Sequence, residues 1–267
     1  MTLVTQAGIE FDETSHRYTQ EDTKLSKKSV TKIAGMADSS DGLTRWKCRL
    51  AAQTALLHEG HVSEGTDDFS ELVEHYSNEG DRQGREASDL GTRIHKLIEL
   101  HIKNKLNPEG AFGFWAEPEP DIALAVKAGI KYVDEMFIPI ATEVRVVHPL
   151  GVPGSADFIG KLKSNPTGNY VLVDFKSKSP TSFGRLYNKD LVQISAYRFA
   201  LESISPTNKF DGCVIVHIHR ETGKIKDFFL RDTQAEHNLF LNLVEVAQYK
   251  KPKMESLAEL HRTQPQN

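Results

Sequence analysis

The feature that most constrains this chain is a change in hydrophobic period near residue 137. Before it, apolar residues recur at helical spacing. Leu90, Ile94, Leu97 and Ile98 stripe a helix over about 85–105, and Val126, Ile130 and Val133 stripe another that Pro120-Asp121 opens and that ends near Phe137. After it the period falls to two, which predicts strands at about 141–148, 154–162 and 170–176, with turns at Gly151 and at Asn165-Pro166-Thr167-Gly168. A helix at about 186–203, strands near 213–219 and 225–230, and a helix at about 233–249 complete the pattern. Helix, three strands, helix, strand predicts an α/β sheet with helices on its faces. No internal repeat interrupts it.

The first 84 residues read as a mainly helical elaboration on this core. Ile9-Glu10-Phe11 and His16-Arg17-Tyr18-Thr19 predict a short hairpin. Ser29 is placed to cap a short helix, and longer helices are expected at about Thr44–His58 and Asp68–Ser77. We therefore divide the chain into 1–84, a core of 85–250, and a tail of 251–267 with little to bury.

Charge is unevenly spread, although its sum is only −4. Between Glu59 and Leu90 ten acidic residues face two basic ones, Arg82 and Arg85. Between Ile159 and Ala200 the balance reverses, with Lys161, Lys163, Lys176, Lys178, Arg185, Lys189 and Arg198 against Asp174 and Asp190. The second stretch would attract a polyanion and the first would repel it or meet a protein partner; both also read as solvated faces. Two cysteines, Cys48 and Cys213, are too few for a disulfide framework, an all-cysteine zinc site or a four-cysteine iron–sulfur cluster. No apolar run reaches the roughly 18 residues of a membrane span. Met1-Thr2-Leu3-Val4 lacks the basic and apolar parts of a secretory leader, so the expected setting is cytoplasmic.

Four segments carry candidate chemistry. In Tyr170-Val-Leu-Val-Asp174-Phe-Lys176-Ser-Lys178, strand alternation sets Asp174 and Lys176 on one face and Val171, Val173 and Phe175 on the other. Asp-x-Lys alone says little, and Asp22-Thr23-Lys24, expected in a hairpin turn, reads as inert. The Asp174 copy differs by following an apolar strand and by the neighbouring strand Gly154-Ser-Ala-Asp157, where an unpaired charge is costly. Asp157 is either a turn or edge aspartate or, with Asp174, one of two oxygen ligands for Mg²⁺ or Mn²⁺. Glu143, one strand earlier, is within reach of the same site through water or of Lys176. Gly91-Thr-Arg-Ile-His95-Lys-Leu-Ile-Glu99 places Ser88, Thr92, His95 and Glu99 on a polar helix stripe, with His95 either a surface residue or a neutral imidazole ligand. Gln193-Ile-Ser-Ala-Tyr197 presents an i,i+4 pair suited to a phosphate or a base, or to a partly buried helix face. His58-Glu-Gly-His61 lacks the zinc-protease spacing, and His217 and His219 read as exposed or nucleic-acid-facing strand residues.

In chain order, Gly91-Thr-x-x-His95-x-x-x-Glu99, Gly154-x-x-Asp157, Asp174-x-Lys176 and Gln193-x-x-x-Tyr197, the four segments resemble the RecB-like branch of the PD-(D/E)XK nuclease superfamily, over roughly residues 88–200. That branch includes mitochondrial genome-maintenance exonucleases. The opening Phe11-Asp-Glu-Thr-Ser-His-Arg-Tyr and Ser29-Val-Thr are similar to phage-encoded members. The resemblance implies a restriction-endonuclease-like core and a metal held by His95, Asp157, Asp174 and the Phe175 carbonyl. It implies that Lys176 activates the attacking water and that Glu99 supports His95. Gln193 and Tyr197 would position a DNA strand, with Lys178, Arg185 and Lys189 following its phosphates. Ala156 stands where the superfamily name has proline, and Pro120-Asp121 lies before the sheet begins. Without the cluster-ligating cysteines of some relatives, no iron–sulfur cluster is expected. The implied activity is Mg²⁺- or Mn²⁺-dependent DNA hydrolysis in replication, repair or recombination, preferably on single-stranded ends, falling in acid as His95 protonates. A structure-specific endonuclease, a catalytically silent nucleic-acid-binding protein and a helical adaptor are the alternatives.

Overall fold

The computed structural model describes residues 2–12, 15, 17–20, 23–38, 41–57, 67–110 and 118–249. Asp22, the His58–His61 segment and the tail from Lys250 lie outside these. After residue 137 the alternating pattern forms five strands: β3 (Phe137–His148), β4 (Val152–Leu162), β5 (Tyr170–Lys178), β6 (Phe210–His219) and β7 (Ile225–Leu230). They make one mixed sheet in the order β3-β4-β5-β6-β7, a separate two-stranded hairpin being β1 (Ile9–Asp12) with β2 (Arg17–Gln20). Only β5 and β6 run parallel. That junction needs a crossover. It is supplied by α5 (Asn188–Ile204), as the order of periods predicts. Among the described residues no helix is long and apolar enough to cross a membrane.

Each face of the sheet is covered by helices, so alternate strand residues enter different cores. Val171, Val173 and Phe175 of β5 pack with Val214, Val216 and Ile218 of β6 against two helices, α3 (Asp67–Leu106) and α4 (Ala123–Met136). Tyr170, Leu172, Cys213 and Ile215 face the other way, toward α1 (Val30–Ala34), α5 and α6 (Gln234–Gln248). Burial on both faces explains why β5 and β6 read as nearly continuous apolar runs. Against that background a charge at 174 is conspicuous. Ser29 caps α1 as expected, its side chain accepting from the Lys32 N–H.

The helical region departs from expectation in one respect. The separate helices expected at Asp68–Ser77 and about 85–105 are a single helix of 40 residues, about 60 Å long. Gly80 and Gly84 suggest a break, but Arg82 ties Glu79 to Glu86 across the gap and Gln83 donates to Glu79. Gly80 is also where α2 (Asp41–Leu57) presses in: a Cβ there would lie 2.6 Å from Cγ of Lys47. The glycine is a contact point between helices. The division expected at 84/85 therefore falls inside α3, with no break in the backbone to mark it. Pro120-Asp121 forms a turn before α4, and Asp121 pairs with Arg93 of α3 at 2.6 Å. Of the second Asp-x-Lys copy, Thr23 and Lys24 are described and lie after β2, with the Thr23 N–H donating to the Gln20 carbonyl at 3.2 Å.

Candidate metal and nucleic-acid site

The site forms where the sheet opens. β4 and β5 pair only from Phe158–Gly160 against Val173–Val171, and beyond Phe158 they splay. Asp157 bridges the gap, its Oδ2 accepting the Phe175 N–H at 2.9 Å, while its own carbonyl takes the Thr142 hydroxyl at 2.8 Å. On the β3 side the pairs Thr142–Phe158 and Val144–Ala156 bracket Glu143 and Asp157, which are not themselves paired. Glu143 has a φ of 50°, a conformation that costs a non-glycine residue free energy. A carboxylate has thus replaced part of a β ladder at the middle of the fold.

Two half-sites meet at Asp157. On the α3 side, His95, Glu99, Thr142, Glu143, Asp157 and Phe175 line a narrow cleft, with His95 Nδ1 3.6 Å from Asp157 Oδ2. Gly91 permits the close approach of α3 to β5: a Cβ there would sit 3.0 Å from Ser177 Oγ. On the α5 side, Asp174 is buried with Lys176 Nζ 2.8 Å from its Oδ2, an ion pair without an aligned hydrogen bond. Gln193 Oε1 accepts from Lys176 Nζ at 3.2 Å, and its amide reaches Asp174 Oδ1 at 3.5 Å and the Tyr197 hydroxyl at 3.4 Å.

The electrostatics join the halves. Burial raises the Asp174 carboxyl above its ordinary range; Lys176 pulls it down and Asp157 raises it further. Burial also raises Asp157, against the pull of Lys176 and the Phe175 N–H. Desolvation alone would lower Lys176, but Asp174, Asp190 and Asp157 outweigh it and keep the ammonium charged. Glu143 opens to solvent at the cleft mouth, yet desolvation by the cleft and the charges of Asp157 and Glu99 push it up to about 7. His95 is pushed down to about 4 by desolvation and then by Lys176, so it is a neutral imidazole at pH 7. As pH falls, Glu143 therefore takes up a proton before His95 does.

Several expected roles change in three dimensions. Gln193 and Tyr197 are buried beneath Asp174 and Lys176 and are not exposed to grip a strand. The reason is Gly154, where a Cβ would lie 2.5 Å from the Tyr197 ring: its absence lets that ring seat on β4, with the hydroxyl 3.2 Å from Thr31 of α1. Lys178 is buried against Asp190 at 2.9 Å, so it is no free phosphate ligand. Glu99 shares the cleft but pairs with Lys103 and Lys96 instead of bonding to His95. The charges acting on Glu143 are Asp157, Glu99, Lys96 and Lys103, not Lys176. Arg185 and Lys189 are exposed, as a nucleic-acid contact requires. His217 is fully buried because β7 and Phe228 cover it, and His219 is half-buried against Phe183.

No family model matches the chain, and no curated protein matches it. Among solved structures it is similar to the crystal structure of SSO0001, at 13% identity over 76% of this chain and 85% of that one, with a TM-score of 0.28. A likeness of that size carries no argument about fold or function.

Sequence reasoning missed Asp190 and Lys226. Asp190, on the first turn of α5, is buried and compensates both Lys178 and Lys176. Its spacing from Lys178 carries no periodic signal, because a loop intervenes. Lys226 lies opposite His217 in the β6–β7 ladder, and only strand register places it near the site.

Proposed function

We propose that this chain is a divalent-metal-dependent nuclease that hydrolyses DNA phosphodiester bonds, with a PD-(D/E)XK-type core and the motif order of the RecB-like branch. The observation that carries this reading is the state of Asp174. Its Oδ2 is buried with only the Lys176 ammonium, 2.8 Å away, as a partner, in a strand whose four preceding residues are buried and largely apolar. Burying a carboxylate and an ammonium together costs desolvation that their attraction only partly offsets, and a purely structural strand would place apolar residues there. Two raised carboxylates and a neutral imidazole suit a hard divalent cation, Mg²⁺ or Mn²⁺.

Among the described residues no three His, Cys, Asp or Glu side chains are grouped so as to hold a metal ion. The donor set fits an ion that keeps several waters, as Mg²⁺ does. Asp157, Asp174, the Phe175 carbonyl and His95 would hold it. When bound, such an ion lowers the pKa of water and polarises the scissile phosphate. Lys176 brings a fixed positive charge to the same point, orients the attacking water and offsets charge developing on the phosphate. Gln193 holds the Lys176 amine, and Tyr197 holds Gln193, so both act as positioning residues. Exposed Arg185 and Lys189 attract the strand.

We read the mode as exonucleolytic on single-stranded ends, in replication, repair or recombination. The support is α3, which carries His95 in its second half and the helical region in its first. Incubation with linear and circular single- and double-stranded DNA, with Mg²⁺, Mn²⁺ or EDTA, tests both parts. Metal-dependent loss of linear single strands is expected. Rapid cutting of closed single-stranded circles would contradict end-directed action, and no cutting under any condition would contradict the nuclease.

A further inference from the structure

The turn between β5 and α5 gathers four cations, three of them without a carboxylate partner among the described residues. The geometry points to a seat there for one backbone phosphate of the DNA strand, next to the phosphate in the cleft; this rests on the nuclease reading above. The centre is the Tyr187 ring, with Lys178 Nζ at 4.8 Å, Arg185 at 5.4 Å and Lys189 Nζ at 5.5 Å from its centroid. A fourth cation arrives from β7: a Cβ on Gly184 would lie 3.2 Å from Lys226 Nζ, so that amine lies over the turn. Of the four, Lys178 alone has a carboxylate partner among the described residues, Asp190. Arg185, Lys189 and Lys226 are exposed and within reach of a ligand.

The turn is held in place before any ligand arrives. Gly184 adopts a φ of 79° and donates its N–H to Nδ1 of the buried His217 at 3.2 Å. Phe183 packs edge-on against His219 at 5.2 Å, and the Ser179 N–H donates to Ser182 Oγ at 3.1 Å. A turn fixed by a buried ring and its own hydroxyls loses little freedom on binding. Its position fits a strand already in the cleft: Lys178 lies two residues beyond Lys176 on β5, about 7 Å away. The chemistry fits a phosphodiester, with a guanidinium fork for two non-bridging oxygens, two ammonium groups beside it, and an aromatic face for the neighbouring base. No group in the seat reads a base edge, so recognition is independent of sequence.

The test is fluorescence anisotropy of a labelled oligothymidylate in EDTA across a salt series. It compares the parent with an Arg185→Ala, Lys189→Ala, Lys226→Ala triple variant, whose melting temperature should be unchanged. At about 0.7 per neutralised phosphate, losing this one seat should reduce the log–log salt slope by about 0.7 and weaken binding several-fold at low salt. A single neutral methylphosphonate at the seat position should weaken the parent and leave the triple variant indifferent. An unchanged slope overturns the seat. Competition by inorganic phosphate at the same phosphate concentration as the oligonucleotide also overturns it, by marking a free-anion pocket. If the parent cleaves DNA and the slopes match, the seat fails and the nuclease stands. If the parent cleaves nothing but the slope falls, the nuclease reading fails and the seat stands.

Discussion

The helical arm of α2 and the first half of α3 carries as much charge as the opened sheet, but handles it differently. In the arm, Lys47 meets Asp81, and Arg82 meets Glu79 and Glu86, largely at the surface. Surface pairs of this kind contribute little, because water competes for both ions. In the sheet, Asp157 and Asp174 are withdrawn from water, raised above their ordinary range, and share Lys176. Charge density alone does not mark a site. Charge held where the fold would be more stable without it does.

The comparison can be broken most sharply by removing charge from each region. Asp174→Asn or Asp157→Ala should lower metal-dependent cleavage on the order of 10³-fold or more. The metal-free Asp174→Asn protein should stay folded, because Asp157, Asp190 and the Gln193 carbonyl still face Lys176 and a like charge beside Asp157 is gone. Lys47→Ala with Asp81→Ala in the arm should leave cleavage and melting temperature unchanged. Equal losses from both regions would erase the distinction.

A second contrast concerns ion pairs. Asp190→Ala strands the buried Lys178 ammonium and should destabilise the fold by about 3–5 kcal/mol. In a chain of this size that lowers the melting temperature on the order of 10 °C, measurable by calorimetry. A drop no larger than that of the arm variant would show that burial does not set the difference.

A smaller effect separates ligand from charge within the site. His95→Ala should weaken Mn²⁺ binding about 10- to 100-fold and slow cleavage, with partial rescue at high Mn²⁺. Lys176→Ala should be rescued little, because its ammonium acts on water and phosphate. Matching rescue curves would remove the assignment of His95 as a ligand.

The smallest effect is on pH dependence. Glu143 titrates at about 7 and Asp174 is raised, whereas His95 titrates at about 4. As pH falls through 7 Glu143 and Asp174 take up protons, and loss of the Asp174 charge releases the cation while His95 is still neutral. Mn²⁺ affinity measured by calorimetry at pH 8, 7, 6 and 5 should therefore fall near neutrality, and His95→Ala should not move the midpoint. Stability offers an independent check on sign. Glu143 costs nothing below its unfolded value near 4.5 and destabilises the fold once ionised above 7, so Glu143→Gln should raise the melting temperature at pH 8 and leave it unchanged at pH 4.5.

What could be read in advance followed from local periodicity. Alternation put Asp174 and Lys176 on the face opposite Val171, Val173 and Phe175, and the i,i+4 spacing put Gln193 and Tyr197 on one stripe of α5. Whether that stripe faces water depends on Gly154, some forty residues earlier in the chain, and no period links the two. The burial of His217 depends on β7, and the Lys178–Asp190 pair on how the turn at 179–187 delivers α5. The continuity of α3 escaped because Gly80 breaks isolated helices by intrinsic propensity, whereas here α2 packs against it. Chemistry-bearing residues were legible where one element carries them; their surroundings come from several elements.

The central claim is that the under-compensated carboxylates exist to hold a divalent cation that drives DNA cleavage. Mn²⁺ titration followed by electron paramagnetic resonance, with cleavage of a linear single strand measured on the same samples, tests it directly. The parent should bind Mn²⁺ and cleave in proportion to occupancy, and an Asp157→Ala, Asp174→Asn double variant should lose both while remaining folded. A double variant that binds Mn²⁺ as the parent does, or cleaves at the parent's rate, would contradict the account.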